Sequence, residues 1–201
     1  MLRRNSEGRF GGMWVFPGGR VDPDDGSGDA AFSAAGIREL REEAGLELEE
    51  SSLVPFSFWS PRGRGKRFDT MFFIARAPDG DVVLDGTEVE EHVWATPTQL
   101  LEAHAAGTLN LVPPTWRTLA WLASHRSTAE AFATARRDGV VRYTGLITTD
   151  ADGGRVVLWQ GDAAYGTDEL NLAGARHRLY MGELPWRLEV SSDARGSEIP
   201  V

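Results

Sequence analysis

The chain has 201 residues, a formal net charge of −9 and no cysteine, and 41% of its residues are hydrophobic while 25% are charged. This composition is typical of an ordinary soluble globular protein, and the length allows one domain with an appendage or two small domains. The sequence excludes disulfides and thiolate metal sites, argues against an extended nucleic-acid surface, and has no long apolar run or secretory signal, so we expect a cytoplasmic protein without membrane contact.

The first predicted elements are short. Residues 1–4 have the pattern of the end of a strand, and residues 5–9 have the pattern of a loop. The run from Trp14 to Gly19 is apolar and is then stopped by a proline and two glycines. This pattern indicates a strand that enters a tight turn.

The next predicted element is a helix from Ala30 to the region of Gly45. We expect Asp29 to cap the helix N-terminus through its side chain. We expect Gly45 to end the helix in the left-handed conformation, with Leu46 closing the cap by an apolar contact.

Three glutamates, Glu39, Glu42 and Glu43, share one face of this helix. At about 100° per residue they fall within an arc of roughly 100°. The opposite side carries the apolar residues Ile37, Leu40 and Ala44. Carboxylates at this spacing repel one another, and a hard divalent cation such as Mg²⁺ turns the repulsion into binding. The alternative interpretation is a solvated helix face, which is common for glutamate.

The rest of the chain shows strand and helix patterns separated by turn residues. Apolar and aromatic segments predict strands at 53–59, 70–75 and 88–95. Helical spacing predicts helices at 97–106 and 114–137, the second broken near residues 124–125. Gly139 marks a boundary, after which we expect a small β-rich appendage. Its predicted strands cover residues 140–147, 156–159, 176–181 and 186–190.

The nine residues from Arg38 to Leu46 resemble the second half of the Nudix hydrolase signature, Arg-Glu-aliphatic-any-Glu-Glu-any-Gly-aliphatic, at every defined position. The segment from Phe16 to Gly19 resembles the glycine-rich start of the same loop–helix–loop motif. The resemblance implies an α/β fold, the Nudix α/β/α sandwich with a mixed sheet, from which the N-terminal strand is missing. Residues 1–138 would form the Nudix hydrolase domain and residues 139–201 the appendage. The exposed sheet edge then expected near Met1 favours a homodimer.

One part of the signature differs. Asp24 and Ala30 occupy positions where the family usually has a glycine and a glutamate, and residues 22–28 resemble an insertion. Asp29 could replace the missing acid or could cap the helix, and we favour the cap.

The resemblance also implies the roles of the site residues. Glu42 and Glu43 would be the main ligands of Mg²⁺ or Mn²⁺, Glu39 a ligand or general base, and Arg38 would orient Glu39. The backbone carbonyl of Gly19 would be a further ligand. Two more acids, Glu88 and Glu91, are candidates to complete the metal shell or to act as the base, although both could equally be charged positions on a half-exposed strand. Substrate-binding residues are not predicted.

A second set of segments resembles the Nudix branch that includes the peroxisomal coenzyme A and acyl-coenzyme A diphosphatase. These segments are Trp59 to Pro61, Arg67 to Phe73, Trp94 to Pro97, Leu109 and Pro113 to Thr115. The implied function is Mg²⁺-dependent hydrolysis of a small nucleoside diphosphate-linked compound, X–P–O–P–Y, including coenzyme A. The alternative is a catalytically weak Nudix-fold nucleotide-binding or regulatory protein. The basic segment 61–67 is either a solvated hairpin loop or a phosphate-facing loop.

Overall fold

The computed structural model describes residues 1–7, 10–62, 68–167 and 169–191. Most of the predicted basic loop therefore lies outside the described residues. The chain divides into two compact units, Met1–Val54 with Phe73–Phe132, and Pro55–Phe72 with Ala133–Val201. This division differs from the expected domain boundary after residue 138, because residues 55–72 group with the C-terminal part. Within the described residues, every helix is too short or too polar to cross a membrane.

The helices and strands occur in the following order along the chain. They are β1 (Leu2–Arg4), β2 (Trp14–Val15), α1 (Asp29–Ala44), β3 (Val54–Trp59), β4 (Thr70–Ile74), β5 (Val89–His92), α2 (Pro97–Ala105), α3 (Pro113–Ala123), α4 (Thr128–Asp138), β6 (Val141–Tyr143), β7 (Gly145–Thr149), β8 (Arg155–Trp159), β9 (His177–Tyr180) and β10 (Arg187–Val190). Short 3-10 turns lie at Pro23–Asp25 and Glu50–Ser52.

The sheet of the first unit has the order β2-β1-β5, and both pairings are antiparallel. Leu2 faces Val15 on one side and His92 on the other. The backbone N–H of Val93 also donates to the Met1 carbonyl at 2.9 Å. The strand at Met1 is therefore paired on both sides, and the prediction of an unpaired edge there is wrong.

Helix α1 packs its apolar side against this sheet. Ala44 and Leu46 are buried together with Leu2 of β1 and Val89 of β5, and Leu40 packs against the same cluster. The predicted apolar face is confirmed at Leu40 and Ala44. Because this packing fixes the last turn of α1 against β1 and β5, the residues next to the cluster on those three elements come close together.

The two ends of α1 differ in how well the sequence predicts them. Gly45 is the C-cap, with φ 65° and ψ 16°, as predicted, and its N–H donates to the Arg41 carbonyl at 3.0 Å. At the other end the N-cap is Gly28, and not Asp29. The prediction that Asp29 caps the helix is therefore wrong. Asp29 is the first helical residue, where its charge still interacts favourably with the helix dipole.

Two further sheets have the orders β4-β3-β6 and β10-β9-β8-β7. Strands β3 and β6 are parallel, with Ser57 facing Val141, whereas the pairs in the four-stranded sheet are antiparallel. The prediction of a single strand at 140–147 is wrong. The strand is interrupted after Tyr143, and its two parts, β6 and β7, belong to different sheets. The remaining strands predicted for the appendage are confirmed as β8, β9 and β10.

A buried ion pair lies in the second unit. The Arg178 guanidinium donates to both carboxylate oxygens of Asp162, and both side chains are almost fully buried. The backbone N–H of His177 donates to Asp162 Oδ2 at 2.8 Å. Burial alone raises the pKa of Asp162, but these hydrogen bonds outweigh it and leave the pKa below its usual value.

Candidate functional site

Glu43 is the buried acid of the predicted site. It lies in the last turn of α1 with a relative exposure of 3%. Its Oε2 accepts a hydrogen bond from the backbone N–H of Gly18 at 2.9 Å. Its Oε1 is buried and accepts no hydrogen bond from any residue that the structure describes. A buried carboxylate oxygen without a hydrogen bond is energetically costly, so this atom is suited to bind a cation.

The surroundings of Glu43 disfavour its charged form. Burial raises the pKa of Glu43 to about 7, and the nearby charges of Glu39 and Glu88 act in the same direction. The Gly18 N–H and the Arg4 guanidinium oppose this shift. The helical pattern placed all three glutamates on the face opposite the apolar residues, where an exposed position is expected, but Glu43 is buried against the glycine-rich turn.

Arg4 joins Glu43 to Glu88. Its Nη1 lies 3.5 Å from Glu43 Oε1, and its Nη2 donates to Glu88 Oε2 at 2.8 Å. The preceding residue, Arg3, instead pairs with Glu90 and Glu91. Of the two candidates for a further acid, Glu88 is therefore connected to Glu43 through Arg4, whereas Glu91 pairs with Arg3.

Arg38 holds the other two glutamates of the motif. Its Nη1 donates to Glu39 Oε1 at 2.9 Å and to Glu42 Oε2 at 3.1 Å. The predicted contact between Arg38 and Glu39 is therefore present. Glu42 is more exposed than Glu39, with side-chain exposures of 53% and 14%.

Asp25 anchors Arg38 from the insertion. Its two carboxylate oxygens accept hydrogen bonds from Arg38 Nε at 3.1 Å and Nη2 at 3.0 Å. The hydrogen bond from Arg38 lowers the pKa of Asp25. Arg38 Nη2 also donates to the Arg20 carbonyl at 2.8 Å. Sequence reasoning missed Asp25, and the one local signal was its spacing from Asp22, whose backbone N–H it accepts as in a capping box.

The glycine-rich turn fits closely around the acids. A Cβ atom on Gly19 would lie 2.2 Å from Glu39 Oε1, so any larger residue would displace that carboxylate. Gly18 has φ 151°, a conformation that favours glycine, and it directs its N–H to Glu43. Both glycines therefore set the positions of the carboxylates.

The residues present fit a hard divalent cation by chemistry, although the carboxylates are not gathered around one point. All the candidate ligands are oxygens, which Mg²⁺ and Mn²⁺ prefer. Among the described residues, Glu43 Oε1 is buried and accepts no hydrogen bond. Within the described ranges, no three acidic or histidine side chains converge closely enough to hold a metal ion. Arg38 and Arg4 are the cations that contact these carboxylates instead.

Comparison with known families decides what the motif is. A family model described as NUDIX domain matches residues 1–121. The chain belongs to the Nudix family. The predicted Nudix-type hydrolase class is thereby confirmed at the level of the family.

Two curated relatives are similar to part of this Nudix chain. The CTP pyrophosphohydrolase of Escherichia coli (strain K12) is 28% identical over 102 residues, which are 51% of this chain and 69% of that protein. A Bacillus subtilis (strain 168) protein provisionally named as an 8-oxo-dGTP diphosphatase is 32% identical over 88 residues, which are 44% of this chain and 53% of that protein. Neither name refers to coenzyme A, so the predicted branch is not supported by these two relatives.

A solved structure supports the fold. A NUDIX hydrolase from Alicyclobacillus acidocaldarius superposes with a TM-score of 0.59 at 22% identity, covering 66% of this chain and 86% of that one. At this identity the likeness concerns the fold alone. It confirms the predicted α/β Nudix fold class.

Proposed function

We propose that this Nudix protein hydrolyses the phosphoanhydride bond of a small nucleoside diphosphate-linked or triphosphate compound, and that it needs Mg²⁺ or Mn²⁺ to do so. The single observation that carries the proposal is the Glu43 carboxylate, which accepts the Gly18 N–H on one oxygen and, among the described residues, accepts no hydrogen bond on the other. Glu39, Glu42 and Glu43, with the Gly19 carbonyl, would hold the cation. When bound, the cation would neutralise the diphosphate and lower the pKa of a bound water.

The protein's own groups divide the remaining work. The Gly18 N–H fixes the Glu43 carboxylate. Arg38, held by Asp25, orients Glu39. Glu88 is the further acid that the arrangement favours, because Arg4 connects it to Glu43 and it remains largely exposed to accept a proton from the attacking water.

The substrate is proposed as a class. The names of the relatives add CTP and 8-oxo-dGTP to the coenzyme A derivatives that the sequence segments favour. All of them contain a phosphoanhydride bond, which is the group that the acidic site would act on. We also propose a cytoplasmic location; a homodimer stays a prediction that the doubly paired strand at Met1 does not favour.

The test is a substrate panel with the whole chain. CTP, 8-oxo-dGTP, coenzyme A, ADP-ribose, NADH and a dinucleoside polyphosphate are each incubated with Mg²⁺ or Mn²⁺, and phosphate-containing products are separated by chromatography. We expect turnover of at least one compound, complete inhibition by EDTA, and loss of turnover in Glu43→Gln. Turnover of any panel member by Glu43→Gln at the wild-type rate would contradict the proposed role of Glu43.

A second candidate function is a nucleotide-binding or regulatory protein with weak catalysis. The observation that favours it is that Arg38 already occupies Glu39 and Glu42, as it would in a protein that need not bind a metal. Calorimetry with the same panel distinguishes the two functions. Binding of a compound without metal-dependent turnover would support the second candidate.

A further inference from the structure

Arg4 occupies a distinctive position between two acids of the site. Its guanidinium donates a 2.8 Å hydrogen bond to Glu88, whose side chain is 60% exposed. Toward Glu43 it lies 3.5 Å from Oε1 without forming a hydrogen bond, and that side chain is only 4% exposed. The arginine therefore supplies positive charge to the buried carboxylate but does not satisfy its free oxygen.

A divalent cation and this guanidinium would compete for the same oxygen. A Mg²⁺ ligand oxygen lies at about 2.1 Å from the ion. The Arg4 guanidinium, whose Nη1 lies 3.5 Å from Glu43 Oε1, would repel a divalent cation bound by the same oxygen, because like charges interact strongly in a partly buried environment. Both cations cannot keep their best contact with Oε1 at the same time.

We infer that Arg4 holds the place of the divalent cation at Glu43, as a built-in counter-ion that the metal must displace. This inference rests on the proposed function, because it takes Glu43 to be a metal ligand. Arg4 stabilises the metal-free protein by balancing a buried negative charge, and it weakens metal binding by the same contact. It is a positioning residue, since it acts through Glu43.

The neighbouring Arg3 provides a matched control. It lies on the same strand and has the same charge, but it pairs with Glu90 and Glu91, whose side chains are 43% and 54% exposed. Neutralising Arg3 removes the same amount of positive charge from the protein without freeing Glu43. The comparison of the two variants therefore separates the local contact from a general change in net charge.

The test measures the affinity of the metal-free whole chain for Mn²⁺ by isothermal titration calorimetry. We expect Arg4→Gln to bind Mn²⁺ roughly tenfold more tightly than the wild type, and Arg3→Gln to change the affinity by less than about twofold. In EDTA, Arg4→Gln should melt at a lower temperature than the wild type, and Mn²⁺ should remove this difference. Should Arg4→Gln fail to fold, Arg4→Lys serves instead, and we expect about twofold to threefold tighter binding because an ammonium cannot contact both acids as the guanidinium does.

A second measurement tests whether free guanidinium can replace the missing Arg4 side chain next to Glu43. In Arg4→Ala, millimolar guanidinium chloride should weaken Mn²⁺ binding more than the same concentration of sodium chloride does. In Arg3→Ala the two salts should act alike. Equal effects of the two salts in Arg4→Ala would contradict the inference.

The outcomes separate this inference from the proposed function. A folded Arg4 variant that binds Mn²⁺ as weakly as the wild type, or more weakly, overturns the role of Arg4 and leaves the metal site standing. Absence of Mn²⁺ binding in the wild type and in every Arg4 variant overturns both. Binding that appears only when Arg4 is replaced supports both.

Discussion

The Asp25 carboxylate accepts two hydrogen bonds from Arg38, one from Nε at 3.1 Å and one from Nη2 at 3.0 Å. Asp25 lies in the segment that resembles an insertion, whereas Arg38 opens the acidic motif on α1. The same guanidinium contacts Glu39 and Glu42. The insertion therefore helps to decide how firmly this arginine is held against the motif's glutamates.

Asp25→Asn should weaken the site without unfolding the protein. The amide offers one acceptor instead of a charged pair, so Arg38 loses its anchor and shifts further onto Glu39 and Glu42. We expect kcat/KM to fall about threefold to tenfold on whichever substrate the panel identifies. Asp24→Asn, an exposed neighbour, is the control and should leave kcat/KM unchanged. Equal values for both variants would show that the anchor has no effect on the reaction.

Glu43→Gln should cut turnover at least about a hundredfold while the fold remains intact. Glutamine keeps the size of the side chain and can still accept the Gly18 N–H, but it has no negative charge to offer a cation. Steady-state kinetics and circular dichroism measure the two effects. Glu49→Gln, at an exposed position beyond α1, is the matched control and should behave as the wild type. Near-normal turnover in Glu43→Gln would show that another group carries the charge.

Gly19→Ala should reduce kcat/KM by more than about tenfold, because its methyl group would fall 2.2 Å from Glu39 Oε1 and push that carboxylate away. Gly36→Ala is the control. Among the described residues, its Cβ would meet only Phe73, at 4.0 Å, and alanine inside α1 should raise the free energy of unfolding by up to about 1 kcal/mol. Full activity in Gly19→Ala would mean that Glu39 need not stay where it lies.

The Asp162–Arg178 pair should make stability depend on acid pH. Because the pKa of Asp162 is lowered in the folded protein, its ionised carboxylate stabilises the fold above the ordinary pKa of 3.8, and this contribution is lost as the pH falls below that value through the lowered pKa. Urea unfolding followed by tryptophan fluorescence between pH 6 and pH 2 measures the effect.

The same pair has a direct mutational test. Asp162→Asn should lose part of this acid dependence, and at pH 7 it should cost about 3–5 kcal/mol, because it leaves the Arg178 charge buried without a counter-ion. Asp152→Asn, at an exposed turn position, should alter neither quantity. An unchanged pH profile in Asp162→Asn would show that other acids control the acid transition.

Local signals in the sequence account for what could be predicted. The 3.6-residue period and the glycine at position 45 gave the extent of α1 to within one residue, because helix faces and left-handed caps depend on neighbouring residues. The break between α3 and α4 was predicted for the same reason. The resemblance to the family motif also predicted the contact between Arg38 and Glu39.

Contacts between distant segments account for what could not be predicted. Helical periodicity places Glu43 with Glu39 and Glu42, but its burial depends on a turn that lies twenty-five residues earlier in the chain. The pairing of Arg4 with Glu43 and Glu88 needs β1 and β5 to meet at α1. Likewise, β6 is separate from β7 because β6 pairs in parallel with β3, and residues 140–147 alone do not indicate this pairing.

The most direct test of the central claim is the location of a bound metal. Crystals of the whole chain soaked in MnCl₂ would be measured at the manganese absorption edge, so that anomalous scattering places the ion without assumptions about its ligands. We predict a peak within coordination distance of Glu43 Oε1, with the Arg4 guanidinium moved away from that atom. An absent peak, with Arg4 still at Glu43 and Arg38 still holding Glu39 and Glu42, would contradict a metal-dependent hydrolase built on these acids.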